Sequence, residues 1–438
     1  MGLLFLTIFL LISTIIYCGG RTTFAIMMSY LIISPDIQIF GMQIDSIYLA
    51  VLYFLILILR TKPKIKKPPV VFNAYLKLII LVYLVYSVSW LVFSRLDFVT
   101  YLSCVTGAIK ILLFLLEVWI MNESLENLDY TCETAKMIGI VLIINFVFIL
   151  FQKSSLDLSM TFLDTYLSNE EYEYMVYSTK YGYYNRFNGL FAYPMHMGLF
   201  GTYAIAFLTM YDHKLKSLFK WILIFIAGYI GILSASKSFI FGVVIFYCLN
   251  MVRLFIQSKS TAPKKYSVIG VFLIAMLFII FYNQIYNLVL NVFGSNFARY
   301  ILMLSTPMEI LSTRFDADTG AINDLMYFLE NHFFFGVGPS SIMGEYVMDN
   351  AFYMILHNGG MLAVSIVAYF YTKLVFLCKN KSNHLIMIFL VFVTGLGFQT
   401  WIVETISVWI IFYIVLDLKE SSSFSFDLKF KRSNLKEM

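Results

Sequence analysis

The sequence predicts an all-α polytopic membrane protein. Composition, the length of its apolar runs and the placement of its charges predict this class. Of 438 residues, 60% are hydrophobic and 13% are charged. Soluble domains run at about 45–50% apolar and about 25% charged. So large an apolar share does not fit inside one core, and so few charges do not cover a soluble surface. A soluble globular enzyme, a disordered chain and a disulfide scaffold are thereby excluded.

The apolar runs are 2–18, 44–60, 71–94, 98–120, 137–152, 188–211, 218–235, 237–257, 266–285, 349–374, 384–398 and 402–417. Each approaches the roughly 17–25 residues that a membrane helix needs. The run 22–34 is weaker, ends at Pro35 and Asp36, and is expected to be partial or interfacial. The alternation of a barrel strand is absent, which leaves helices as the spanning solution. About 12 transmembrane helices are therefore expected. The N-terminus lacks a basic region and a small-residue cleavage pattern, so no cleaved signal is expected.

Charge placement sets the sides. Segments 60–67, 121–136, 212–220, 253–265, 373–383 and 418–438 hold 21 Lys and Arg, and the opposite side holds 8, with Lys77 and Lys110 inside spans. The basic side is cytoplasmic by the positive-inside rule, so both N- and C-termini are expected in the cytoplasm. Residues 1–418 form a single integral-membrane domain and 419–438 a cytoplasmic tail. Two long extracytoplasmic loops, about 153–187 and about 286–348, carry 8 bases and 15 acids together with the shorter outer segments. Long ordered loops are commonly functional, so the chemistry is expected outside. No internal repeat is found, which counts against a secondary transporter.

The five cysteines, at 18, 104, 132, 248 and 378, have no CxxC spacing and read as buried free thiols. No HExxH motif and no Cys/His cluster appears, so no metal and no cofactor are expected. Polar singles within spans are Lys77, Lys110, Glu117 and Glu404. Such residues are functional candidates by default, although Lys110 and Glu117 also suit a structural pair.

The outer loops supply the other candidates. Arg186 stands in Asn185-Arg186-Phe187-Asn188-Gly189, ahead of Pro194 and Gly198. These small and rigid residues are expected to open and kink the helix start, exposing backbone groups beside the Arg. An interfacial anchor is the plainer role; an anionic headgroup is the ligand such a spot suits. Lys237 lies in Ser234-Ala235-Ser236-Lys237-Ser238, between two runs joined with almost no loop. It either snorkels to the interface or binds phosphate. The second long loop holds Ser312-Thr313-Arg314 and, further on, Asn331-His332 followed by Phe335-Gly336-Val337-Gly338-Pro339. His332 suits a helix C-terminal cap. Asp349 and Asn350 stand at the outer start of the next span, where they suit an N-cap or, for Asp349, a base that accepts a proton from a sugar hydroxyl. His357-Asn358-Gly359-Gly360 lies inside that span.

In this order, the motifs resemble the O-antigen polymerase / O-antigen ligase family of bacterial surface-polysaccharide enzymes. The resemblance rests on Arg186-x-x-Gly189 with Pro194, Ser236-Lys237-Ser238, Ser312-x-Arg314, Phe335-Gly336-Val337-Gly338, and Asp349-Asn350 ahead of Gly359-Gly360. It covers about residues 180–370 and the topology of the chain. Two positions depart from the family pattern. Lys237 stands where members usually carry Arg, which keeps the charge and loses the bidentate fork. Asp349 stands where many members, ligases above all, carry His.

The resemblance implies a GT-C-like helical architecture in the bacterial inner (cytoplasmic) membrane, with the active site facing the periplasm or the cell exterior. It implies a metal-independent glycosyltransferase whose donor is an undecaprenyl-diphosphate-linked oligosaccharide. The acceptor is a second lipid-linked repeat unit for a polymerase, or lipid A core for a ligase. Arg186, Lys237 and Arg314 then cradle the diphosphate, and Asp349 is the candidate catalytic base. His332, Asn350 and His196 are secondary candidates. The lipid bilayer, a flippase and a chain-length regulator are the implied partners, and no nucleic acid is expected. A lipid-linked oligosaccharide flippase or other transporter is the alternative of another class.

Overall fold

The computed structural model describes residues 22–33, 37–39, 42–44, 70–93, 130–167, 169–177, 186–191, 193–210, 215–257, 280–293, 330–338 and 351–376, with a few single positions elsewhere. The expected spans 2–18, 384–398 and 402–417, the tail 419–438, and Lys110, Glu117 and Glu404 lie outside the described residues.

The described chain is helical apart from one short ribbon. The helices are α1 (Thr22–Ile33), α2 (Val70–Phe93), α3 (Tyr130–Ser154), α4 (Leu156–Tyr166), α5 (Asn169–Val176), α6 (Pro194–Met210), α7 (Ser217–Leu233), α8 (Lys237–Gln257), α9 (Tyr282–Phe293) and α10 (Ala351–Phe376). Strands β1 (Ile37–Ile39) and β2 (Met42–Ile44) pair antiparallel, with Ile37 opposite Ile44. This ribbon was not expected from the sequence, and it takes up the first residue of the run 44–60.

Helix α6 is the centre of the fold. Its residues from Met197 through Leu208 are all buried, on every side of the helix. A helix apolar all round belongs in an interior. Helices α7, α8 and α3 surround it, and small residues bring them close. A Cβ at Gly198 would stand 2.6 Å from Ser234 Oγ, and one at Gly242 would stand 2.8 Å from Thr202 Cγ2. Helix α10 packs on α2, and α1 packs on α3. One contiguous core joins them, from Met28 and Leu78 to Tyr203, Phe246 and Phe370.

Several expected boundaries shift. The run 188–211 starts too early, because residues 186–191 form turns and the helix begins at Pro194. Proline suits the first helical position, where its missing N–H has no partner to lose. The structure therefore shows an abrupt helix start in place of a kink. The loop 153–187 begins with the end of α3, continues through α4 and α5, and has a small core of its own from Met160, Leu163, Leu167 and Met175. The run 22–34 forms a helix of 12 residues whose Ala25 and Met28 are fully buried, and Ser29 Oγ donates to the Met137 carbonyl of α3 at 3.3 Å. This short segment packs into the core.

Helix α10 is broken. Gly360 has φ +62 and ψ −164, which no helix accommodates. The break leaves carbonyls without partners on one side and N–H groups on the other. The 333–338 loop satisfies both. Val337 and Gly338 donate to the carbonyls of His357 and Asn358 at 2.9 and 3.1 Å, and Met361 and Leu362 donate to those of Phe333 and Phe334 at 2.8 and 3.2 Å.

Helix α3 is the one helix among the described residues long and apolar enough to cross a membrane, over Thr131–Ser154. Shorter apolar stretches are Leu76–Val92, Ser217–Leu233, Phe239–Leu254 and Ile355–Phe370. Their outward faces are apolar too: Leu84, Val88 and Leu91 on α2, Ile143 and Val147 on α3, and Leu218, Trp221 and Phe225 on α7 are all exposed.

Candidate functional site

Two turns that are 48 residues apart in sequence meet at one end of α6. The first runs from Arg186 to Phe191. The second, Ser234-Ala235-Ser236, joins α7 to α8. Arg186 Nε donates to the Ser234 carbonyl at 3.2 Å, and the Phe187 N–H donates to the Leu233 carbonyl at 3.0 Å. Thr179 Oγ1 donates to the Arg186 carbonyl at 2.9 Å. Side chain and main chain of the same residue are thus both tied down.

The second turn is tight for local reasons. Ser234 closes α7 with its N–H on the Ile230 carbonyl at 3.0 Å, and its Oγ donates to the Gly231 carbonyl at 2.6 Å. Ala235 then turns left-handed at φ +46, a conformation strained for a residue with a Cβ. Ser236 donates its N–H to Ser234 Oγ at 3.2 Å, and its carbonyl accepts from Phe239 at 3.2 Å and Ile240 at 3.4 Å. It therefore starts α8 as the residue before the first helical one. Gly198 of α6 lies under both serines.

Lys237 is the first residue of α8. The positive end of the helix dipole disfavours a cation there. Its side chain lies outside the described atoms, but its place in the chain is three residues from Ser234, the group that holds Arg186. Arg186 is half-buried, and among the described residues no carboxylate pairs with it. An arginine presents five N–H donors, so the Ser234 bond leaves the outer edge of its fork available for an anion.

The Arg186 turn is anchored from α3. Asn145 Oδ1 accepts the Leu190 N–H at 2.8 Å, and Gln152 Nε2 donates to Asn188 Oδ1 at 3.4 Å. Asn188 Nδ2 in turn donates to the Phe191 carbonyl at 2.5 Å. Gly189 has φ +62, and a Cβ there would stand 2.5 Å from Asn145 Oδ1. Sequence reasoning missed Asn145 and Gln152. Their one signal is an amide inside an apolar run, where polar groups are rare unless bonded.

The other expected site residues are distributed as follows. His196 sits in the first turn of α6, its ring 5.0 Å from that of Tyr193 in an edge-on contact, close in sequence to the Gly198 that supports the serine turn. His332 belongs to a second cluster, at the break in α10. Its carbonyl accepts the Gly336 N–H at 2.9 Å, which makes it part of the turn that fills the break. Gly336 has φ +70, and a Cβ there would collide with the His357 carbonyl. Ser89 of α2 donates to the Val85 carbonyl at 2.8 Å and also to the Phe335 carbonyl. His357 Nδ1 and Asn358 Oδ1 are 2.8 Å apart, both buried. Arg314, Asp349 and Asn350 lie outside the described residues. Among the described residues, no three of His, Cys, Asp and Glu converge to hold a metal ion.

The structure thus brings together two motifs, those of Arg186 and Lys237, and separately joins Gly336–Gly338 to Gly359–Gly360. Comparison with protein-family models, with curated proteins and with solved structures finds no match.

Proposed function

We propose that this chain is a multi-pass glycosyltransferase of the bacterial inner membrane, a polymerase of O-antigen, capsule or exopolysaccharide repeat units. The observation that carries the reading is the bond from Arg186 to the Ser234 carbonyl, which draws a guanidinium to the turn that leads into Lys237. One cation is thereby held at the turn that starts α8, the helix whose first residue is Lys237. A lysine at that helix position is unfavourable alone and favourable once an anion sits there.

The chemistry follows from the donor. Outside the cytoplasmic membrane a glycan must arrive preactivated on a lipid diphosphate. The acceptor hydroxyl attacks the anomeric carbon of the donor, and the bond from that carbon to the diphosphate oxygen breaks. Undecaprenyl diphosphate leaves with the electron pair, and its growing negative charge is met by Arg186, Lys237 and Arg314. The hydroxyl proton passes to a base, which we assign to Asp349. Charge neutralisation by fixed cations makes a metal unnecessary for this step.

The membrane setting is supported by the exposed apolar faces of α2, α3 and α7. Soluble monomers rarely expose contiguous apolar patches larger than a few hundred Å². In this reading about 12 helices span, both termini are cytoplasmic, and the Arg186 end of α6 faces outward. A ligase that transfers the glycan to lipid A core uses the same cradle with another acceptor.

One observation favours a second reading, a lipid-linked oligosaccharide flippase or transporter. Helix α10 is discontinuous at Gly360, and transporters often build substrate sites from broken helices. In this chain, however, four backbone groups at the break bond the chain's own 333–338 loop, so they are not offered to a substrate.

The test uses the purified full chain in proteoliposomes, supplied with the undecaprenyl-diphosphate-linked repeat unit of its own host. Polymerase activity yields a ladder of lengthened glycan and frees undecaprenyl diphosphate. Movement of the intact lipid-linked unit between leaflets, with no glycan lengthened, makes the chain a transporter. In cells, deletion that removes the ladder but leaves one repeat unit on the core distinguishes polymerase from ligase.

A further inference from the structure

Helix α3 carries two amides in an otherwise apolar stretch. Asn145 and Gln152 are seven residues apart, two turns of helix, so they lie one above the other on the same face. They are 0% and 1% exposed. Buried amides are costly unless bonded, and in an apolar helix the cheaper residue at both positions is leucine. Two amides in such a place call for partners.

Both serve the same six-residue turn, 186–191. Asn145 Oδ1 accepts from Leu190, while its Nδ2 donates back to the Val141 carbonyl at 2.9 Å, which fixes the direction of the amide. Gln152 reaches the turn through Asn188. Gly189 sits against the Asn145 amide so closely that no side chain fits between them. The turn is keyed to α3 at its middle, and Arg186 is its leading residue.

We propose that Asn145 is a positioning residue for Arg186. By holding the Leu190 N–H and cradling Gly189, it keeps the turn in the conformation in which Arg186 meets the Ser234 carbonyl and aims its fork at a diphosphate. Gln152 supports the same conformation through Asn188. This rests on the reading of Arg186 as a diphosphate ligand. An apolar side chain at 145 leaves the Leu190 N–H without its acceptor and lets the turn sample other conformations. The measured affinity for the anion then falls by the fraction of molecules that still hold the right one. Asp at 145 keeps the acceptor oxygen and therefore keeps most of the effect.

The experiment is a binding cycle on the full chain in lipid nanodiscs, titrated with undecaprenyl diphosphate. Asn145→Leu is expected to weaken binding about tenfold, and Asn145→Asp by no more than about threefold, as one competent molecule in ten and one in three would give. In an Arg186→Ala background, Asn145→Leu is expected to cause no further loss, because the two residues act as one unit. Equal losses in both backgrounds overturn the proposal, since Asn145 would then act on the fold at large. Unchanged binding by Asn145→Leu overturns it as well. If Asn145→Leu does not accumulate in the membrane, Gln152→Met is put through the same cycle, with a loss of about threefold expected only when Arg186 is present. A wild-type chain that does not bind undecaprenyl diphosphate sinks the reading of Arg186, and the positioning role with it, which is a different result from the additive one.

Discussion

Arg186 donates from Nε to the main-chain oxygen of Ser234 at 3.2 Å. A guanidinium held at its inner nitrogen has its outer edge fixed in direction. Phosphate recognition depends on that direction, because the fork makes two parallel bonds only when correctly presented. Ser234 can serve because it ends one helix three residues before the next begins. The fold thus uses the carbonyl at the end of α7 to hold a cation at the turn that leads into α8.

The tether distinguishes arginine from lysine. Arg186→Lys keeps a positive charge and loses both the Nε donor and the planar fork. The donor KM is expected to rise about tenfold, the equivalent of about 1.4 kcal/mol. Steady-state polymerisation at varied donor concentration measures it, and an unchanged KM would show that charge alone suffices.

The filled break in α10 predicts a sharp glycine requirement. Gly336 combines φ +70 with a backbone carbonyl at the place a Cβ would occupy. Gly336→Ala is expected to destabilise the chain by roughly 2–4 kcal/mol, from backbone strain and collision together. Gly228, whose Cβ would meet nothing within 4 Å, is the control. Gly228→Ala sits in a helix and is expected to be neutral or stabilising by up to about 1 kcal/mol. Thermal unfolding of both variants in the same detergent provides the comparison.

Ser89 joins α2 to this break through the Phe335 carbonyl. Ser89→Ala removes one part-buried hydrogen bond between α2 and the 333–338 loop and leaves that carbonyl unpaired. A loss of about 0.5–1.5 kcal/mol is expected. Denaturant or thermal midpoints measure it, and a loss as large as that of Gly336→Ala would mean that Ser89 holds more than this contact.

The membrane reading makes its own prediction at Val147, which is 60% exposed on α3. In a bilayer, a lysine near the centre of a helix costs about 2.5–3.5 kcal/mol on insertion scales. In water an exposed Val→Lys change stays within about 0.5 kcal/mol. Val147→Lys is therefore expected to reduce accumulation in the membrane fraction severely. Full accumulation and stability in that variant would contradict a lipid-facing α3.

Much of the helical framework is legible in the sequence, because apolar length is a local property. The run 237–257 matches α8 residue for residue, and 218–235 matches α7 within two residues at its end. The failures are where a polar or small residue breaks an apolar run for a reason elsewhere in the molecule. Asn188 to Phe191 reads as the start of a span, yet Asn188 and Gly189 turn there because α3 offers them Asn145 and Gln152. Gly359-Gly360 reads as an ordinary part of a span, yet the helix breaks because a loop more than twenty residues earlier fills the gap. The loop 153–187 reads as a long functional loop, and its Leu and Met spacing in α4 carries a helix. Among the candidate residues, Arg186 and Lys237 stand out in the sequence as two of the eight bases expected on the outer side. Ser234 meets Arg186 through its backbone oxygen, which no sequence reveals.

The central claim is that Arg186 is a ligand for the donor diphosphate. The most direct measurement is the polysaccharide ladder of a strain whose sole copy of this chain carries Arg186→Ala. The account predicts loss of all long-chain polysaccharide, with the variant present in the membrane at the wild-type level, and the same outcome for Arg314→Ala. A ladder of normal length and amount from Arg186→Ala would contradict it.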